Sequence, residues 1–130
     1  MTETGYRNVL LVEDDESMCR IVARNLEARG VAVRWAQSVG AALREIAASR
    51  PDLIVLDINL PDRPGWELCR ALDARGIELP TVIVSAVRIT PERLAEFEPI
   101  AYLPKPFPLE ALLRLVVGTR GDATADVAAR

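Results

Sequence analysis

The side chains able to handle an anion or a metal stand where apolar runs stop. Glu13 and Asp14 follow Val9-Leu10-Leu11-Val12, Asp57 closes Leu53-Ile54-Val55-Leu56, Ser85 closes Thr81-Val82-Ile83-Val84, and Lys105 comes just after Ile100 to Leu103. Asp57 alone is as well explained by a turn, which Asp commonly opens; matching chemistry at the other run ends gives it weight. Three carboxylates gathered in one pocket repel, and at least one pKa rises unless a cation neutralises them. A hard divalent ion does so. Mg²⁺ takes one or two carboxylates, a carbonyl and waters, and keeps positions open for phosphate oxygens. A carboxylate nucleophile, a metal, a hydroxyl donor and an ammonium together make a phosphoryl-acceptor site.

For that site to exist, the runs must be neighbouring strands. Unbroken runs of branched residues read as strands buried on both faces, the mark of a parallel sheet. Val31, Val33 and Trp35 instead alternate with Ala32, Arg34 and Ala36, which predicts a wetter edge strand. Between the strands, apolar residues recur at helical spacing: Met18, Ile21, Val22 and Leu26 after an Asp15 cap; Val39, Ala42, Leu43 and Ile46 after Ser38; Leu68, Cys69 and Leu72 after Pro64-Gly65; Leu109, Leu112, Leu113 and Val116 up to Gly118. Gly30 and Gly76 are expected to stop the first and third helices. Thr90-Pro91-Glu92 opens a fourth helix holding Leu94 and Phe97 that must stop by Pro99. Strands alternating with helices through right-handed crossovers give a doubly wound α/β fold of five parallel strands and five helices. The flavodoxin-like order 2-1-3-4-5 puts the alternating strand at an edge and brings Glu13, Asp14, Asp57, Ser85 and Lys105 to the carboxyl ends, where such sheets bind ligands.

With 130 residues, half of them hydrophobic, the chain is one domain with a real core. We expect the domain to span residues 1–118 and Thr119 to Arg130 to be a fraying tail or the start of a linker. A net charge of -3 and no basic run give no reason to expect direct nucleic-acid binding. No apolar run approaches the roughly 20 residues a membrane span needs, and the N-terminus lacks a signal-peptide pattern, so the expected location is cytoplasmic. Cys19 and Cys69 fall on apolar helix faces as free buried thiols. The absence of histidine removes the commonest general base and any phosphohistidine role. Lys105 is the only lysine, at a place where a compact ammonium differs from a guanidinium.

Val9 to Asp14, Leu53 to Pro61 with Gly65 after it, Val82 to Ala86, and Tyr102-Leu103-Pro104-Lys105-Pro106-Phe107, in this order and spacing, resemble the receiver domain of two-component response regulators from about Arg7 to Gly118. The resemblance implies that Asp57 accepts a phosphoryl group from a phosphohistidine on a sensor histidine kinase. It implies that Asp14 binds Mg²⁺ directly, Glu13 largely through water, and Asn59 by its backbone carbonyl. Ser85 would hydrogen-bond the phosphoryl group, and Lys105, ahead of a cis Lys105-Pro106 peptide, would pair with it. Ser85 and Tyr102 would then switch the face of helix four, strand five and helix five toward a partner, a second copy or an output domain. The chain would be no enzyme beyond its own phosphorylation and dephosphorylation. Asp15 suits the helix cap better than the acidic pair.

The chain also departs from the family. Relatives usually carry Gly-Ala before the fifth strand, where Glu98-Pro99 stands here, and the Ser85 to Lys105 segment is shorter by roughly two residues, so the fourth helix should be truncated. Val87 and Asn59 occupy positions that tune dephosphorylation in relatives. Other readings fit less well. A phosphohydrolase of the haloacid dehalogenase type wants an acid at Asn59 and a cap domain; a flavodoxin-like FMN carrier needs a Gly/Ser/Thr-rich loop where Glu13 to Glu16 stand. A receiver-like interaction module that is never phosphorylated keeps no evident use for the acidic set.

Overall fold

Each apolar run becomes a strand: β1 (Asn8–Val12), β2 (Ala32–Ala36), β3 (Leu53–Asp57), β4 (Thr81–Ser85) and β5 (Ala101–Pro104). All pair in parallel in the order β2-β1-β3-β4-β5. The computed structural model describes residues 5–118; the expected tail lies outside the described residues. Strand alternation divides the core between two layers. Val9, Leu11, Val55, Val82 and Val84 meet helices α1 (Glu16–Glu27) and α5 (Leu109–Val117) on one face, while Leu10, Val12, Ile54, Leu56 and Ile83 meet α2 (Val39–Ala48) and α3 (Trp66–Ala74) on the other. β3 is buried along its full length, whereas β2, at the edge, is mostly half-exposed.

The helices start and stop as their residue types dictate. Asp15 caps α1 by accepting from the Ser17 and Met18 amides, and Gly30 and Gly76 follow α1 and α3 at positive φ. The inward face of α1 is Cys19, Val22, Ala23 and Leu26. That corrects the expectation for Ile21, which is 54% exposed: a face centred on residue 22 turns residue 21 by about 100° away from it. Cys69 is half-buried rather than buried, and β5 begins one residue later than the expected Ile100.

Helix α4 (Pro91–Phe97) is short, as the prolines require, and buries no residue fully. It is tied to α3 at the surface. Phe97 stacks on Trp66, centroids 4.7 Å apart, Arg70 lies over Phe97 and Arg93 over Trp66, and Glu96 pairs with both arginines at 3.5 Å. The stacked pair contributes about 0.5–1.5 kcal/mol beyond its burial, and each exposed ion pair about 0.2–1 kcal/mol. By comparison, each fully buried aliphatic of α1 contributes about 1.5–3 kcal/mol. α4 is therefore the least firmly held helix.

One contact joins the loop after β3 to another helix. The first turn of a helix leaves four amides without intrahelical partners. In α2, Ser38 Oγ takes that of Ala41, and the Asp62 carboxylate takes those of Val39 and Gly40, both at 3.0 Å. These backbone donors hold the Asp62 carboxyl below its ordinary pKa of 3.8. A lowered folded-state pKa contributes stability that is present above the ordinary value and is lost as pH falls through the lowered one. Asp62→Ala should therefore lower Tm at pH 7 and differ less from wild type near pH 2. Thermal melts at both pH values test this, and an equal difference at the two would exclude the carboxylate contact as its source.

Candidate functional site

Strand register assembles the site. Val12 stands opposite Leu56, so Glu13 comes out beside Asp57. Asp57 in turn faces Val84, next to Ser85, and Ser85 faces Pro104, next to Lys105. The backbone carries this register past the strands: the Ile58 amide donates to the Val84 carbonyl and the Lys105 amide to that of Ser85. The Lys105-Pro106 peptide is cis.

Lys105 Nζ donates to Glu13 Oε1 at 2.8 Å and to Asp57 Oδ2 at 3.2 Å. Glu13 and Asp57 are 1% and 3% exposed, so one ammonium serves two carboxylates withdrawn from water. Asp14 is exposed at the mouth. Glu13 also accepts from the Asp15 amide, and Asp57 Oδ1 from the Asn59 amide, both at 3.1 Å. Burial pushes the Glu13 carboxyl above its ordinary pKa; the Lys105 hydrogen bond opposes this and the Asp57 charge reinforces it. Burial pulls the Lys105 pKa down, but the Glu13 hydrogen bond and the charges of Glu13 and Asp57 outweigh it and hold the ammonium above its ordinary value. Behind them, burial and the Glu13 charge push the Cys19 thiol to about 12, which leaves it inert.

Carboxylate oxygens of Glu13, Asp14 and Asp57 lie within 4.8 Å of one another. Hard oxygen donors at that spacing, with one residue exposed, suit a small divalent cation that keeps some of its waters, and Mg²⁺ fits this description. Ser85 is buried, but its hydroxyl turns to its own loop: it donates to the Val87 carbonyl at 2.9 Å and accepts from the Val87 amide at 3.0 Å. The half-buried Tyr102 donates its hydroxyl to the same carbonyl at 3.5 Å. Thus Glu13, Asp57 and Lys105 are joined directly, Asp14 and Asn59 flank them, and Ser85 with Tyr102 meets at Val87.

Why Gly65 is needed becomes visible only in three dimensions. Its amide donates to the Ile58 carbonyl at 2.7 Å, and a Cβ there would lie 2.6 Å from the Asp57 carbonyl oxygen and 3.0 Å from Ile58 Cα. The loop closes backbone to backbone directly under the acceptor candidate. In the sequence Gly65 shows only as a glycine eight residues after Asp57, ahead of the third helix and within the receiver-like pattern.

The family profile described as response regulator receiver domain matches residues 9–117. Among curated proteins, response regulator MprA of Mycolicibacterium vanbaalenii is 41% identical over 107 residues, covering 81% of this chain and 46% of that protein. The chain thus spans about half the length of the curated relatives it matches. Among solved structures, the non-phosphorylated HemR receiver domain from Leptospira biflexa is 34% identical with a TM-score of 0.74, covering 82% of this chain and 88% of that one. The BeF3-activated N-terminal receiver domain of Klebsiella pneumoniae RstA is 30% identical with a TM-score of 0.71, covering 84% and 97%.

A Glu13 pKa raised by folding means that its ionised form costs stability, which is lost as pH rises from 4.5 through the folded value. Glu13→Gln should accordingly resist urea better than wild type at pH 7 in EDTA, and the gain should vanish in acid. Unchanged or lower stability at pH 7 would show that the Lys105 pair outweighs burial. Gly65→Ala should cost about 1–3 kcal/mol in the same melts, because backbone must move to admit the methyl group; a neutral result would mean that the loop beneath Asp57 is free to open.

Proposed function

The chain belongs to the response regulator receiver domain family, and on that premise we propose that Asp57 accepts a phosphoryl group from the phosphohistidine of a sensor histidine kinase. The supporting observation is the buried Asp57 carboxylate held between the Lys105 ammonium and the Glu13 and Asp14 carboxylates. In the transfer, an Asp57 carboxylate oxygen forms a bond to phosphorus as the bond from phosphorus to the imidazole nitrogen breaks. The electron pair stays with that nitrogen, which takes up a proton. No general base is needed, since the nucleophile is already an anion.

Lys105, already at Asp57, follows the developing charge on the phosphoryl oxygens. Asp14, Glu13, Asp57 and the Asn59 carbonyl would hold Mg²⁺, which when bound supplies positive charge to screen the carboxylates from the phosphoryl group. The Ser85 hydroxyl leaves the Val87 carbonyl to donate to a phosphoryl oxygen, and Tyr102, bonded to that carbonyl, moves with the loop. The face of α4, β5 and α5 then changes shape for its partner, a second copy or an output domain. The chain turns over no substrate beyond its own phosphorylation and dephosphorylation. Among the described residues no helix is long and apolar enough to cross a membrane, and we place the transfer in the cytoplasm.

Intact-protein mass after incubation with acetyl phosphate and Mg²⁺ tests the proposal. Wild type should gain one phosphoryl group that hydroxylamine removes, whereas Asp57→Asn and the metal-free sample should gain none. A folded wild type that stays unmodified would favour the unphosphorylated interaction module, and a modified Asp57→Asn would move the acceptor elsewhere.

A further inference from the structure

Away from the acceptor site, a groove of about 520 Å³ opens between α3 and the end of α4. α4 ends at Phe97, and Glu98 and Pro99 complete the lining on that side. Half-buried Ile77, Leu79 and Phe97 supply the groove's apolar surface, over the buried Leu72 and Ile83. It reaches Thr81, the first residue of β4, whereas the acceptor site begins at Ser85, the last. Asp73, Glu78 and Glu98, all exposed, stand on its rim. None of these three takes part in an ion pair among the described residues. Glu96 also lines the groove but is shared by Arg70 and Arg93. Among the described residues no lysine or arginine lines it.

From this combination we propose that the groove docks a segment of a partner protein in which arginine or lysine side chains flank aliphatic ones. The sign of the rim decides the class: carboxylates on several sides repel nucleic acid and anionic lipid, which carry their own negative charge, and attract cations. The floor decides the rest, since half-buried Ile77, Leu79 and Phe97 still have apolar surface to remove from water and a bare cation does not cover it. Because Asp73 comes from α3, Glu78 from the loop after it and Glu98 from the end of α4, the cations must be spaced along a chain. The proposal uses none of Glu13, Asp14, Asp57, Ser85 or Lys105 and stands apart from the phosphoryl-transfer reading.

A capped Arg-Leu-Leu-Arg-Leu-Arg peptide, with its glutamate-for-arginine counterpart as control, tests the groove by titration into isotopically labelled protein followed by amide shifts. Saturable shifts at Leu72, Ile77, Phe97 and Glu98 are expected, with an affinity that falls as salt is added. Affinity should fall about tenfold in an Asp73→Lys/Glu78→Lys variant, whose replaced residues are exposed and whose thermal melt should match wild type. Cys69, which lines the groove, should be alkylated more slowly with the peptide present. Equal binding of the glutamate peptide, equal affinity of the variant or the absence of saturable shifts would overturn the proposal. So would groove shifts that depend on protein concentration alone, which would make the occupant a second copy of this chain.

Discussion

One ammonium is set against three carboxylates at the ends of two central strands, and the rest of the site follows from that imbalance. Lys105 reaches Glu13 and Asp57 together, yet burial still raises the Glu13 pKa. The protein alone does not supply enough positive charge. A divalent cation at the carboxylates would satisfy the deficit, and under the proposed function it would also screen them from an incoming phosphoryl group. The same imbalance accounts for the use of lysine: a compact ammonium on a flexible stem bonds two oxygens on different strands, whereas a planar fork favours two oxygens of one carboxylate.

The parallel sheet makes this arrangement inexpensive. Five short strands in register place every carboxyl end on one edge, so residues 44 positions apart, such as Glu13 and Asp57, become neighbours without any dedicated loop. That is why so much of the site was legible in the sequence. Apolar runs mark strands, an acid at the end of a run marks an edge position, and the strand order follows from which runs are unbroken. Asp15 was separable from Glu13 and Asp14 because a helix cap and a strand terminus ask different things of a carboxylate.

What stayed illegible is what depends on distances between backbones or on surface pairing. Nothing in the residue type of Gly65 says that Asp57's own carbonyl stands where a Cβ would go. Asp62 reads as one more turn acid until α2 arrives above it. Trp66 and Phe97 lie in different helical patterns, and only the docking of α4 stacks them. Ile21 was misplaced because four apolar residues at helical spacing leave the centre of the buried face open by one position. The contact of the Ser85 hydroxyl with the Val87 backbone is equally invisible in the sequence, since any short hydroxyl beside a turn can bond locally.

Two neighbouring segments of this molecule are held by unequal means. The loop beneath Asp57 is closed by backbone against backbone, and a single methyl group is too much for it. The segment from Ala86 to Ile100, by contrast, lends no fully buried residue to the core and is fastened by surface contacts: an aromatic stack with its two arginines, a shared carboxylate, and the hydrogen bonds at Val87. Changes of length and sequence in that segment therefore cost little folding energy while redrawing the groove and the neighbouring face. A substitution there alters what the surface offers while the strand ends that gather Glu13, Asp57 and Lys105 keep their register.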